Sequence, residues 1–236
     1  RPQMKKIILS SLSVLSFVLF PNEAFDTIKP SIASLEMNGV KMSVSLENIE
    51  GNKWKIESVI KAAGGIFSRK EKALFTIDKY AVTPFSWSRK ERMLFSKKDY
   101  LVNFNWDKSE IDFKEDNMTG KLDLLPGYLG PATAPLVIRL KLRELGLKKL
   151  PKELINYVYF KGEIKERTYI IGKLENIQTP MGKFQAIRVD RVRSDLDPRE
   201  QTFWFAPVLD FSLIKVINDD GKEKRELMIS SYKEFS

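Results

Sequence analysis

One stretch of this chain leaves little freedom of fold. Val40, Met42, Val44 and Leu46 alternate with Lys41, Ser43, Ser45 and Glu47. A period of two places one set of side chains on a buried face and the other in water, the signature of a half-buried β-strand. The stretch is preceded by Asn38-Gly39, a pair that accepts the positive φ angles of a tight type I′ hairpin turn. Apolar residues resume at Leu35 on the far side of that turn, so two paired strands are predicted. Glu50-Gly51-Asn52 makes the next turn, and Trp54, Ile56, Ser58 and Ile60 continue on one face.

The pattern recurs along most of the chain. Leu74 to Pro84, Phe85 to Arg89, Leu101 to Trp106 and Ile111 to Phe113 read as strands, with Pro84 expected at an edge or bend. Tyr157 to Lys161 and Glu166 to Glu175 follow. Thr179-Pro180-Met181-Gly182 reads as a turn, with proline preset for its second position and glycine at its fourth. Phe184 to Arg193, Thr202 to Pro207, Leu213 to Ile217 and Leu227 to Ser231 complete the series. Between these blocks, 125–153 differs. Leu125 to Pro131 is a loop by composition. In Pro135 to Leu147 two signals conflict: Leu, Arg, Lys and Glu favour helix, whereas Ile138, Leu140 and Leu142 alternate with charges as in a strand. Propensity predicts a helix here, ended by Pro151. The expected fold is therefore mainly β: a single curved antiparallel sheet or half-open barrel over 25–236, with 125–153 as a loop-helix insertion covering it.

The N-terminus carries a different message. Met4-Lys5-Lys6 precedes Ile7 to Phe20, an uncharged run of 14 residues. That is short of the roughly 20 apolar residues that span a bilayer. Basic start, short apolar run, then Pro21 and polar residues is the layout of a secretory signal peptide. Residues 1–24 are expected to be that peptide, cut after Ala24. An uncleaved anchor is the alternative, because Asn22 stands where a small residue is preferred. No Cys follows the apolar run, which excludes a lipoprotein. The expected location is the periplasm, with no integral span in the mature part and no nucleic-acid partner.

The chain contains no His and no Cys. This removes Ser–His–Asp triads, thiol nucleophiles, disulfides, and the imidazole and thiolate ligands of zinc or iron. No cofactor and no metal are expected, and the balance leans away from an enzyme. Asp107, Glu110 and Asp112 are close in sequence and resemble a glycosidase carboxylate set only in that they are acidic. A solvated turn explains them as well. Ala62-Ala63-Gly64-Gly65 lacks the Lys-Ser/Thr of a phosphate loop. The formal charge is +9, or +7 without residues 1–24. Attraction to an acidic surface, such as anionic lipid or polysaccharide, is one reading. An ordinary solvated surface is the plainer one, since the charges are dispersed.

Aromatic residues are the remaining candidates. Trp54, Trp87, Trp106, Phe203, Trp204 and Phe205 could line a pocket for an acyl chain or stack on a sugar, or simply fill the core. Phe203-Trp204-Phe205 is the most telling, because alternation sends Trp204 to the face opposite both phenylalanines. That second face needs cover from the central segment, a second sheet or a ligand.

Two segments carry a family resemblance: Thr179-Pro180-Met181-Gly182-Lys183-Phe184-Gln185-Ala186-Ile187-Arg188-Val189, and Arg199-Glu200-Gln201-Thr202-Phe203-Trp204-Phe205-Ala206-Pro207. With Asn38-Gly39-Val40, Val82 to Trp87 and Val102 to Asp107, they resemble the domain-of-unknown-function 3108 family of exported bacterial proteins, over about residues 31–233. Many members carry Asp-Pro-Leu-Ser before the central helix, where this chain has Gly130-Pro131-Ala132-Thr133-Ala134-Pro135-Leu136. The resemblance implies a periplasmic β-rich fold and no agreed activity. The leading expectation is a periplasmic, non-enzymatic binding or carrier protein for an apolar or envelope-derived ligand, lipid or glycan. The competing expectation is a structural or assembly factor of the envelope that acts through protein contacts.

Overall fold

A computed structural model describes residues 28–193, 200–221 and 223–235. The proposed signal peptide lies outside them. A fifteen-stranded sheet runs β8-β7-β6-β5-β4-β3-β2-β1-β15-β14-β13-β12-β11-β10-β9. Its N-terminal wing is β1 (Ser31–Met37), β2 (Val40–Glu50), β3 (Lys53–Ala62), β4 (Phe67–Asp78), β5 (Ala81–Met93), β6 (Ser96–Asn105), β7 (Glu110–Glu115) and β8 (Met118–Asp123). After β9 (Tyr128–Leu129) and the helix α1 (Ala134–Leu145), the C-terminal wing returns. It consists of β10 (Glu153–Phe160), β11 (Glu163–Thr179), β12 (Gly182–Arg191), β13 (Glu200–Ala206), β14 (Ser212–Asp219) and β15 (Lys224–Glu234). β1 is the seam, pairing antiparallel with β2 on one side and β15 on the other. Neighbours are antiparallel throughout except β9, which lies parallel to β10.

The Asn38-Gly39 turn has φ angles of 51° and 78° and sets the β1–β2 register, with Met37 opposite Val40. The turns at Gly51-Asn52 and Pro180-Met181 fall where the sequence predicts them, but the next reversal carries no such signal. Leu74 to Pro84 is not one strand: the chain reverses at Lys79-Tyr80, with Lys79 at φ 56°. Pro84 sits inside β5, at a bulge opposite Phe75 and before the ladder to β6 begins at Ser86. A bulge is one of the few places a sheet tolerates a residue without an N–H.

The helix ends at Gly146, before Pro151. Gly146 (φ 60°) donates its N–H to Leu142 O at 3.0 Å. Rather than capping the outside, α1 is wedged between the wings. Ile138 and Leu142 belong to the core of the C-terminal wing, Leu136 and Leu140 to that of the N-terminal wing. Successive helical residues turn by 100°, so positions two apart lie about 200° apart, on opposite faces. The strand-like alternation of the sequence is thus a helix buried on two sides. Its third face carries Arg139 and Arg143, which meet at Asp210 in the turn after β13.

The free edges do not pair, yet the two wings touch. Tyr159 of β10 donates its hydroxyl to Glu115 of β7 at 2.9 Å. Phe113 stacks at 5.7 Å from the Tyr159 ring, and Trp87 of β5 lies 6.4 Å from it. The sheet is rolled and closed across the gap by side chains, not by a backbone ladder.

Ile138 and Leu140 are fully buried on opposite faces of α1. Ile138→Ala and Leu140→Ala should each cost about 2–5 kcal/mol. Urea unfolding followed by circular dichroism should show one transition shifted in both variants. Two separate transitions would mean that the wings fold independently of the helix.

Candidate functional site

The concave face is not filled everywhere. Across it runs a row set by strand register: Val44, Ser58, Glu71, Arg89, Tyr100 and Glu115 on consecutive strands β2 to β7. Beside the apolar end of this row, where the approach to α1 crosses β1 to β4, lies a cavity of about 210 Å³. Ala33, Met42, Val44 and Ile56 form its sheet wall, Pro131 to Leu136 its roof, and Phe205 and Leu213 its far side. Ala33, Met42, Val44 and Ile56 are only half-buried although they face inward.

The charged and phenolic groups on the rim are already engaged. Arg139 donates from Nε to the Asp210 carbonyl at 2.9 Å and from Nη2 to its carboxylate at 3.1 Å. Glu71 accepts from Arg89 Nε at 2.8 Å. Ser212 Oγ donates to the Tyr232 hydroxyl at 3.1 Å, and Tyr232 donates to Glu234 at 2.9 Å. Burial pushes the Tyr232 phenol above its ordinary range. Apart from the hydroxyls of Ser31 and Ser58, what the cavity offers is therefore apolar surface.

The row's far end is buried and polar. Burial, with the Glu115 carboxylate beside it, pushes the Tyr159 phenol far up, so it stays a hydrogen-bond donor at any physiological pH. Gly162 N–H donates to the same oxygen at 3.0 Å. Arg89 lies 5.0 Å above the Trp87 ring and 5.6 Å above Tyr100, joining this end to the ion pair.

The six aromatic candidates are not brought together. Trp54 and Trp87 are buried in the N-terminal core, Phe203 and Phe205 in the C-terminal core. Only Phe205 reaches the cavity. Trp106 donates its indole N–H to Pro84 O at 2.7 Å and borders a shallow notch with Phe85, Asn103, Asp107 and Asp112. Trp204 lies on the opposite face from its flanking phenylalanines and is only 5% exposed. It belongs to the C-terminal core, and charged side chains of the neighbouring strands contribute to its cover. Lys215 sits 4.9 Å and Arg188 5.7 Å over the ring, and Glu175 accepts from its N–H at 2.8 Å. Glu110 and Asp112 both pair with Lys121, at 2.8 and 3.5 Å. Among the described residues no three carboxylates converge where they could hold a metal ion. The cavity wall itself was not singled out from sequence. Wall, roof and far side come from three separate stretches of the chain, β1 to β4, Pro131 to Leu136 and β13 to β15, and carry no chemical motif.

The sequence profile of a family described as "protein of unknown function (DUF3108)" matches residues 31–227. The chain belongs to the DUF3108 family. No curated protein matches this DUF3108 chain. Among solved structures, a β-barrel-like protein of domain of unknown function DUF1849 from Brucella abortus superposes with a TM-score of 0.56 at 10% identity. The alignment covers 88% of this chain and 98% of that one, so the two share a fold. A lipoprotein candidate from Parabacteroides distasonis aligns at a TM-score of only 0.32 and 12% identity, over 87% of this chain and 96% of that one. Among the described residues no helix is long and apolar enough to cross a membrane.

Tyr159→Phe removes the donor from a carboxylate that is 7% exposed and should cost about 1–3 kcal/mol. A phenol with a raised folded pKa stays protonated in the fold and ionises on unfolding. Its stabilisation is complete below the ordinary value of 10.0 and declines as pH rises above it. The wild-type chain should lose stability above pH 10, and Tyr159→Phe should flatten that decline. Urea midpoints measured from about pH 8 to 11 bracket the ordinary phenol pKa and check both.

Proposed function

We propose that this DUF3108 protein is a non-enzymatic binding or carrier protein of the periplasm, whose cavity takes the end of an acyl chain. One observation carries the reading. Inward-facing Ala33, Met42, Val44 and Ile56 are left half-exposed around about 210 Å³ of space, while the charged and phenolic groups beside them are satisfied by one another. Apolar surface of this kind gains by being covered. A ligand with no polar demand of its own is the chemistry that fits. The N-terminal layout of Met4 to Ala24 supports export, and the envelope is where free acyl chains and lipids are met.

A specific observation favours the competing reading. Pockets for whole small ligands run from about 300 to 1,000 Å³, larger than this cavity. An assembly factor working through its surface needs no pocket at all.

Native mass spectrometry of the protein purified gently from its own envelope separates the two. The carrier reading expects an adduct that yields an acyl chain on extraction. Val44→Phe, which fills the cavity wall, should abolish the adduct while far-UV circular dichroism stays unchanged. An adduct-free protein across several mild preparations would leave the assembly factor.

A further inference from the structure

Hairpins of two-residue loops normally end in Gly, Asn or Asp, because the turn requires positive φ. The β5–β6 hairpin ends in Leu94-Phe95, with Met93 opposite Ser96. Leu94 is held at φ 36°, a backbone state that large side chains avoid. Neither side chain gains packing in return: Leu94 is 71% exposed and Phe95 101%. Met93 and Ile66, at 55% and 49%, extend the same apolar tip. Ile66 belongs to the adjacent β3–β4 turn, which is tied on by Leu94 N–H donating to Ile66 O at 3.4 Å. Among the described residues nothing covers this tip, and a strained, solvent-facing Leu-Phe turn costs stability.

The surroundings say what would cover it. Below the tip, Glu91 pairs with Arg69 and Asp99 with Arg92. Among the described residues, exposed Lys61, Lys90, Lys97 and Lys98 make no ion pair at contact distance, on both faces of the sheet, and the Asp99 that Lys90 and Lys97 face is already bound to Arg92. An apolar point that projects beyond a collar of unbalanced lysines is complementary to an anionic bilayer. The rings and aliphatic chains enter the interface while the ammonium groups meet lipid phosphates.

We propose that the Ile66/Met93/Leu94/Phe95 tip is a peripheral membrane-docking point for anionic lipid. It goes beyond the cavity reading, and holds whether or not the cavity carries an acyl chain. The tip and the cavity share strands β3 and β4. From Ser58 at the cavity to Ala62 beside the tip is four residues, about 13 Å at 3.3 Å per residue, so a docked tip brings the cavity close to the lipid surface.

The absence of Cys makes the test direct. The full chain carrying Ser96→Cys, labelled with an environment-sensitive nitrobenzoxadiazole, is mixed with phosphatidylethanolamine–phosphatidylglycerol vesicles. A blue shift and strong brightening are expected, with little response to pure phosphatidylcholine. Salt at about 0.5 M should weaken the response, since the screening length is then only a few ångströms. The same label at Gln185→Cys, exposed on β12, should stay silent. Adding Leu94→Ser and Phe95→Ser should weaken partitioning by about tenfold or more with the thermal midpoint not lowered. A chain that sediments with vesicles while the Ser96 label stays unshifted is held by its N-terminal segment, and overturns the proposal. So does an equal response to neutral vesicles, or a serine variant that binds as well as the parent. Binding of the cavity's acyl ligand is read separately by native mass spectrometry, so either proposal can fail alone.

Discussion

A sheet of fifteen strands cannot stay flat. Strand twist accumulates, and open sheets beyond about ten strands curl, split or pack on themselves. Curling makes a concave face that must be filled, and α1 is the filler. It has to be apolar on two opposite sides because it has a wall on each. Leu136 and Leu140 serve one wing, Ile138 and Leu142 the other. Arg139 and Arg143, fixed on Asp210, lock its rotation about its own axis. That rotation in turn sets where the roof segment Pro131 to Leu136 crosses β1 to β4, and hence where the cavity lies.

Closure by side chains follows from the same geometry. β8 and β9 end the ladder without pairing to one another. A rolled sheet that stops short of a continuous ladder has unpaired edges, which are a liability in solution. Here the wings are joined across the gap by a buried hydroxyl–carboxylate bond, the tilted rings packed around it, and Val82 of β5 against Leu129 and Val158. Gly162 allows the approach: a Cβ there would sit 3.2 Å from both Phe113 and Met118. Such a closure is local and built mostly of side-chain packing, unlike a continuous run of backbone bonds.

What could be read from sequence tracks what kind of force holds each element. Where strands bury one face, alternation showed them, as in Val40 to Leu46, and Asn38-Gly39 fixed a register in advance. Where strands are held by charge, the pattern was silent. The first half of β4, Ser68 to Lys72, and the part of β5 beyond Arg89, Lys90 to Arg92, carry no alternation and were not read as strand. Register sets Arg69 opposite Glu91 and Glu71 opposite Arg89, so ion pairs replace apolar contacts in the ladder. The helix was ambiguous for a definite reason: burial on two sides makes a helix alternate as a strand does. The cavity could not be foreseen, since Ala33, Val44, Ile56 and Leu213 mean nothing until the roll assembles them. The Leu94-Phe95 turn did carry a signal: three large apolar residues, Met93 to Phe95, between the charged runs Arg89 to Arg92 and Lys97 to Asp99.

Those charged runs have their own logic once the fold is known. Between the cavity and the tip, Ile60, Arg69 and Glu91 are half-buried on the concave side. Water reaches this part of the inner face. An apolar row there would be exposed on a strand pair that must still reach outward. Cross-strand ion pairs hold such strands in register at modest energy, each worth about 0.2–1 kcal/mol, without adding hydrophobic surface. Strands β3 to β6 therefore change character along their length: apolar beside α1, ion-paired where water enters, and apolar again only at the turns. The second apolar zone cannot be an extension of the core, because a charged zone separates the two. It is a surface feature at the end of ion-paired strands, the arrangement on which the proposed lipid contact rests.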